Sequence, residues 1–392
     1  MRILFIHSRY QISGGEESVV EAEIQLLQSR GHAVFRYERD NHEVTGKNKL
    51  ALLRDTLWSP SSHADVQRLV KEQAIDVAHV HNTLPLVSPS VYWAASRAGA
   101  AVVQTLHNFR WLCPKGTLLR DGKICESCVG HLPWRAIQHR CYRNSAAQSA
   151  VMAATYGLHT ALGSLHHHAD RIIALTDFGR DQFIRGGFPA DKMVVKPNFV
   201  EDTAMESAGV SQHQPPPRSG FLYVGRLSEE KGPDVFVQAA SLLPSERFEM
   251  LGTGPLLDTL ARPDNVAFLG AVAKAQVRDA MQRSMALVLP SRWYEGLPMV
   301  LVEAFCHGMP VIASRLGTFH SLIEEGVTGL LFDPGDASDL ARKVQWCRDH
   351  PESVARMGLA ARAMYERHYT AESNYTQMLG IYRAAIVHRQ AR

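Results

Sequence analysis

The chain has 392 residues, 45% of them hydrophobic and 21% charged, with a formal net charge of +3. That composition builds sizeable cores and excludes wholesale disorder, and a charge so near neutral argues against a dedicated nucleic-acid binder. Six cysteines are too few and too unevenly placed for a disulfide scaffold. The sequence opens with a short apolar strand that runs straight into polar residues, without the apolar region of a signal peptide. No stretch approaches the roughly 18 uncharged apolar residues of a membrane span. A cytoplasmic chain is therefore expected, with room for peripheral contact at the inner face of a membrane.

Short apolar runs alternate with helical patterns along the first 200 residues. A strand over 3–7 leads to Gly14 and Gly15, then to a helix with Val19, Val20, Ile24 and Leu27 on one face and a stop at Gly31. Further strands are expected over 33–37, 77–81, 101–106, 172–175 and 193–196. Residues 209–219 contain three consecutive prolines and no apolar periodicity, which marks a linker. Beyond it the alternation restarts with strands over 220–224, 248–251, 266–269, 287–289, 311–313 and 330–332 and a helix over 233–243. Strands that read as near-continuous apolar runs between helices predict parallel sheets covered on both faces. The fold class is α/β, with two doubly wound Rossmann-like domains at 1–205 and 206–371. Such domains bind ligands beyond the carboxyl ends of their strands, so a cleft between the two is the expected site.

The most informative stretch lies in the second half. Glu295 falls in a strand-to-helix loop, Gly296 and Pro298 prepare the helix start, and Glu303 sits about one and a half turns inside. The helix entry offers N–H groups and a positive dipole end to an anion. Glu303 can accept hydrogen bonds from a diol such as a ribose, and Glu295, at the rim, from a sugar. Upstream, Arg226 and Lys231 flank the next helix entry, placed to neutralise a diphosphate. Gly252 and Gly254 form a glycine turn after a strand.

Taken together these motifs resemble the retaining nucleotide-sugar glycosyltransferases of family four, which have the GT-B fold. The resemblance rests on Gly14 and Gly15, the 77–82 run, Leu106-His107-Asn108, Lys196-Pro197-Asn198, Gly225 and Arg226 with Lys231 and Gly232, Leu251 to Pro255, the Glu295 and Glu303 pair, and the run from Gly308 to Ser314. It implies that Glu303 binds the ribose of a nucleoside-diphosphate sugar and that Glu295 binds the donor sugar. Gly296, Leu297, Pro298 and Met299 would supply backbone contacts to sugar and phosphate. Arg226 and Lys231 would hold the diphosphate and stabilise the leaving group. Gly15 would let the first loop approach the phosphates, and His107 would lie beside the reacting sugar. The resemblance also implies that a last helix from 372 packs back on the first domain. No catalytic metal is expected, and a UDP-sugar is favoured over a GDP-sugar. His7 and His81 also end strands of the first sheet; a helix-end role is the ordinary reading of the run His166 to His168.

Four cysteines, Cys113, Cys125, Cys128 and Cys141, fall in one loop-rich insertion over 110–143. In a cytosolic chain their spacing reads as a structural zinc site. Two disulfides, a redox pair at Cys125 and Cys128, unrelated core cysteines, and His131 or His139 in place of one thiolate are the alternatives. The insertion carries Arg110, Lys115, Arg120, Lys123, Arg135, Arg140 and Arg143 against Asp121 and Glu126, with Trp111 and Trp134 interleaved. Such a surface suits an anionic acceptor, a glycan or a lipid-linked diphosphate at a membrane face. The competing functions are a non-catalytic nucleotide-sugar-binding or scaffold protein of the same fold, a sugar-phosphate synthase, and a nucleic-acid-binding zinc module; no nucleic-acid partner is expected.

Overall fold

In the computed structural model, which describes residues 1–11, 14–202 and 218–391, the chain forms two compact units. The first comprises Met1–Leu118, Cys125–Asn198 and the C-terminal segment from Asn374; the second comprises Leu119–Ile124 and Phe199–Ser373. The boundary expected at 205/206 lies outside the described residues, as does all of the linker except Arg218 and Ser219.

In the first unit, strands β1 (Arg2–Arg9), β2 (Ala33–Asp40), β3 (Val77–Val80) and β4 (Ala101–Leu106) belong to one six-stranded sheet. Strands β5 (Leu119–Arg120) and β6 (Lys123–Ile124) form a separate hairpin, which groups with the second unit. Asp121 and Gly122 both have positive φ there, 52° and 70°, as a tight primed turn requires. Strands β7 (Arg171–Ala174) and β8 (Met193–Val195) complete the first sheet, whose order is β2-β1-β3-β4-β7-β8 with every pair parallel. Ile3 pairs with Val34 on one side and Val77 on the other. The helix Gly15–Ser29 packs Val20, Ile24 and Leu27 into a core with Ile3, Phe5, Val103 and Ile173. Met378, Tyr382 and Ala385 of the C-terminal helix enter the same core.

The second unit repeats the architecture. Strands β9 (Phe221–Val224), β10 (Phe248–Leu251), β11 (Val266–Gly270), β12 (Ala286–Leu289), β13 (Val311–Ser314) and β14 (Gly329–Phe332) form a parallel sheet in the order β11-β10-β9-β12-β13-β14. Its core joins Phe221, Phe236, Phe248, Val288, Ile312 and Phe332. The direction in which successive strands are added reverses between β1 and β3 in the first sheet and between β9 and β12 in the second. At such a switch point the two flanking loops diverge to opposite faces and leave a crevice beyond the strand ends. Of the expected site residues, Gly14, Arg226, Lys231 and Glu295 to Pro298 lie in the loops at these two places, while His107 follows β4 and Gly252 and Gly254 follow β10. Among the described residues no helix is long and apolar enough to cross a membrane.

Candidate functional site

In the second unit, the loop after β9 and the loop after β12 bring Lys231 and Glu295 together. Lys231 Nζ donates to both carboxylate oxygens of Glu295, at 2.8 and 3.0 Å, and Ser291 Oγ donates to Oε1 at 2.7 Å. Thr318 Oγ1 donates to the Glu295 carbonyl at 2.6 Å and so ties the loop to a neighbouring helix. The Lys231 ammonium also lies 5.3 Å from the centroid of the Trp293 ring. Glu295 is buried, and a buried carboxylate with a paired ammonium and a hydroxyl donor is held in one orientation. Arg226 differs: its side chain is 66% exposed and only 3.7 Å from Glu230, a geometry that leaves the guanidinium available to an anion.

Pro298 caps the helix Met299–Cys306, and Glu303 follows in its second turn. Burial lifts the Glu303 carboxyl above its usual range, and Lys274 partly opposes that shift. Leu297 is buried. The glycine turn is a steric necessity. Gly252 has φ +140°, and a Cβ there would sit 1.9 Å from the Gly225 carbonyl oxygen; one on Gly254 would sit 2.4 Å from that of Leu227. Hydrogen bonds Gly225 N–H to Leu251 O and Leu227 N–H to Thr253 O, 3.0 and 2.9 Å, lock the two turns together. The glycines thus serve backbone-to-backbone packing that fixes where Arg226 begins.

In the first unit, Gly14 caps the helix Gly15–Ser29, whose first turn carries Glu16 and Glu17. Glu17 accepts from the Gly14 N–H at 2.8 Å and from the Tyr10 N–H at 2.9 Å. The chain's own carboxylate therefore occupies two amide groups at this helix entry, where the resemblance led to the expectation of a phosphate. Tyr10 donates its hydroxyl to Glu16 at 3.1 Å, and Arg110 lies over the Tyr10 ring. Arg110 is thus turned inward, where the sequence reading had it on an exposed basic face. Burial, opposed by Arg110, raises the Glu16 carboxyl to about 7.

His107, after β4, is half-buried, and its Nε2 lies 2.8 Å from Nδ1 of His81, with the rings stacked at 5.1 Å. Burial lowers His107 to about 3 and His7 to about 4, and it holds His79 and His81 well below the usual histidine range. All four imidazoles are neutral at neutral pH. Sequence reasoning missed Glu23 in this group and gave Lys196, noted only within the Lys196-Pro197-Asn198 motif, no role of its own. Glu23 and Lys196, both fully buried, pair at 2.6 Å, and Glu23 Oε2 lies 3.8 Å from His81 Nε2. The readable signal was a glutamate on the core-facing stripe of Val19, Val20, Ile24 and Leu27.

All six cysteines are thiols. Cys113, Cys125 and Cys141 lie near enough to Cys128 to help raise its thiol to about 11, after burial. The expected tetrahedron is not closed, however. Among the described residues only Glu23, His79 and His81 bring three ligand atoms within 4.8 Å of one another. The donor set suits zinc in softness, and closing it requires side-chain movement, since four unmetallated thiols gain little from mutual contact. Trp111 and Tyr142 of the insertion pack on Leu84, Met152 and Tyr156, so part of its stability comes from an apolar satellite core. Nearby, Trp111, Leu112, Cys128, Tyr156, Leu165 and Phe188 help line a cavity of about 520 Å³.

The sequence matches two family models: residues 13–204 the model described as Glycosyltransferase Family 4, and residues 211–364 that of Glycosyl transferases group 1. The alpha-D-kanosaminyltransferase of Streptomyces kanamyceticus is 27% identical over 55% of this chain and 60% of its own length. A D-inositol 3-phosphate glycosyltransferase of Streptomyces coelicolor is 26% identical over 79% of this chain and 69% of its own. The match thus takes in well under the full length of the first of these relatives. Among solved structures, the Anabaena HepE protein in complex with UDP superposes with a TM-score of 0.67 at 18% identity, covering 97% of this chain and 99% of that one. The sucrose-phosphate synthase of Thermosynechococcus elongatus gives 0.70 at 17% identity, over 98% and 99%. With two parallel doubly wound sheets, each carrying its polar groups at the switch point, and with both halves matched, the chain belongs to glycosyltransferase family 4 and has the GT-B type of fold.

Proposed function

We propose that the protein is a retaining glycosyltransferase that moves a hexose from a nucleoside-diphosphate sugar, a UDP-sugar by preference, to a glycan or lipid-linked acceptor. The observation that carries this reading is the pairing of Lys231 with Glu295 at the β9/β12 switch point, a few residues from the half-buried Glu303. Glu303 accepts hydrogen bonds from the ribose hydroxyls, and Glu295 from a hydroxyl of the donor sugar. Arg226 and Lys231 neutralise the diphosphate, with backbone N–H groups of Gly296 to Met299 beside them. The acceptor oxygen bonds to the anomeric carbon on the face from which the phosphate leaves. The departing phosphate oxygen takes the acceptor's proton, and no catalytic metal enters. His107 lies beside the reacting sugar. The preference for uridine is supported by HepE, which binds UDP.

The acceptor would meet the first unit. A cavity with an apolar wall of Trp111, Leu112 and Phe188 and with His131, His159 and His166 in its lining, beside an insertion with exposed Trp134 and Leu132, 57% and 67%, suits an amphipathic, lipid-linked substrate. A structural zinc on Cys113, Cys125, Cys128 and Cys141 would order the insertion and supply no chemistry to the transfer.

The test is thermal stabilisation of the purified chain by UDP, GDP, ADP and dTDP, each with and without EDTA. A selective shift with UDP that EDTA leaves unchanged is expected, followed by transfer from the corresponding sugar. Absence of any shift would overturn the donor site. Binding without transfer to any acceptor would favour the non-catalytic reading.

A further inference from the structure

The buried trio Glu23, His79 and His81 has the spacing of a metal site, but its surroundings argue otherwise. Lys196 already supplies a cation to Glu23 at 2.6 Å. His79 is committed on both sides, with Nδ1 2.8 Å from Tyr382 Oη and Nε2 2.8 Å from Thr105 Oγ1. His81 and Glu23 are what remain, and they face each other: His81 Nε2 and Glu23 Oε2 are both buried without a hydrogen-bond partner, 3.8 Å apart.

That distance is too long for a hydrogen bond but decides where a proton sits. With the proton on Nδ1 of His81, a nitrogen lone pair would point at a carboxylate whose counter-ion lies on its other oxygen. Two unsatisfied buried acceptors facing each other each leave a desolvated lone pair uncompensated, which disfavours that arrangement. With the proton on Nε2, the N–H points at the carboxylate and the same contact becomes attractive. Nδ1 of His81 is then an acceptor, and the 2.8 Å contact is made by the His107 Nε2–H. The ring of His107 is left with a lone pair on Nδ1.

We propose that Glu23 and His81 are positioning residues that hold His107 in its Nε2-protonated tautomer, so that its Nδ1 accepts a hydrogen bond from a hydroxyl of the bound sugar. This rests on the placement of His107 beside the reacting sugar in the proposed function. The relay runs inward from His107 through His81 and Glu23 to Lys196. Other charged or titratable groups that face His81 are His7 from β1 and His79 from β3, each a neutral imidazole at neutral pH. Phe5 stacks on its ring at 5.3 Å, and Gln104 Nε2 donates to its carbonyl at 2.9 Å. The ring is thereby fixed in orientation, which a tautomer lock requires. The short contact from His107 to His81 could be drawn with either ring as donor; the carboxylate behind His81 removes that freedom.

The test is ¹⁵N-histidine NMR of the intact ligand-free chain, with the His107 signals assigned by their loss in His107→Phe. The expected wild-type result is a single His107 tautomer with the proton on Nε2. His81→Asn, whose amide oxygen takes the place of Nδ1, should keep it. His81→Phe, which retains stacking and removes the acceptor, should give a mixture, and its kcat should fall about 10- to 100-fold with the donor KM unchanged. A wild-type His107 protonated on Nδ1 would overturn the proposal even if no variant folded. So would a His81→Phe protein with unaltered tautomer and full kcat. The tautomer is read without turnover, so a wild-type chain with the expected tautomer that transfers no sugar would defeat the transferase reading and leave the lock standing.

Discussion

Among the residues of the second unit, the two glutamates separate by environment. Glu295 is already engaged by Lys231 and Ser291, so its removal frees the ammonium that the proposed function sets against the diphosphate. Glu303 has Lys274 as the charge acting on it and, in the proposed function, offers its carboxylate to a diol. Glu303→Ala should weaken nucleotide binding by the worth of a charged hydrogen bond, about 1.5–3 kcal/mol or roughly 10- to 150-fold, with kcat at saturation nearly kept. Glu295→Ala should lower kcat more than it raises KM, because Lys231 loses the partner that aims it. Steady-state kinetics of both variants check the pair, and equal full activity would defeat the assignment. Gly252→Ala is the backbone counterpart. Its φ of +140° and the 1.9 Å approach to the Gly225 carbonyl cannot both be kept, at a cost of about 1–3 kcal/mol in strain alone. Nucleotide affinity and melting temperature should fall together, since the displaced turn is the one that launches Arg226.

The short hairpin β5–β6, Leu-Arg and Lys-Ile, carries no apolar run and was not readable in the sequence, whereas the strands of the two parallel sheets were readable as apolar runs bounded by polar or turn residues. Several extend a residue or more beyond the apolar stretch, as β1 does to Arg9, because the ladder to β2 continues through Ser8↔Arg39 and Arg9↔Asp40 where side-chain polarity gives no sign of it. The placement of Glu295 in a strand-to-helix loop and of Glu303 in the helix after it was readable from the apolar run before them and from Gly296 and Pro298. The histidine cluster was only half readable: His81 and His107 each follow the end of a strand and His7 lies near the end of β1, but the partner of Glu23 lies 173 residues away. Register among β1, β3 and β4 brings those strand ends together. This convergence has a pH consequence. His7, His79, His81 and His107 all have lowered folded-state values, so the unfolded chain binds their protons first. Stability is then retained above about 6.5, the unfolded value, and lost as pH falls through the window toward 4. Glu16, raised to about 7, acts in the opposite sense: its contribution is held below 4.5 and lost as pH rises toward 7. Glu303, raised as well, acts with Glu16, and two carboxyls against four imidazoles leave acid destabilisation dominant. Urea unfolding at pH 7.5, 6 and 5 should show a falling midpoint, and a midpoint that rose on acidification would mean the histidines are charged in the fold.

For the whole molecule, the two kinds of chemistry are divided between two cores. The histidine cluster and the Lys196–Glu23 pair belong to the first unit, and the Lys231–Glu295 pair, Glu303 and the glycine turn to the second. Each unit has its own apolar core, so a single unfolding free energy does not describe the chain. Ligand and proton should act on different units. A nucleoside diphosphate at a hundred times its dissociation constant stabilises the state that binds it by about 2.7 kcal/mol. Amide hydrogen exchange should place that protection in β9, β10 and β12 and in the helix Met299–Cys306. Acidification from pH 7.5 to 5 should instead open β1, β3 and β4 first, where the lowered imidazoles are buried. Protection by nucleotide confined to β1 and β3 would transfer the donor site to the first unit and leave Glu303 without a role. Metal content divides the same way. If zinc sits on the four cysteines, its removal by a chelator should loosen the insertion and the helix Ala146–Ala161 that supports it, while nucleotide protection in the second unit persists. Chelation that abolished nucleotide protection with the insertion unchanged would place a metal at the donor site and overturn the metal-free mechanism.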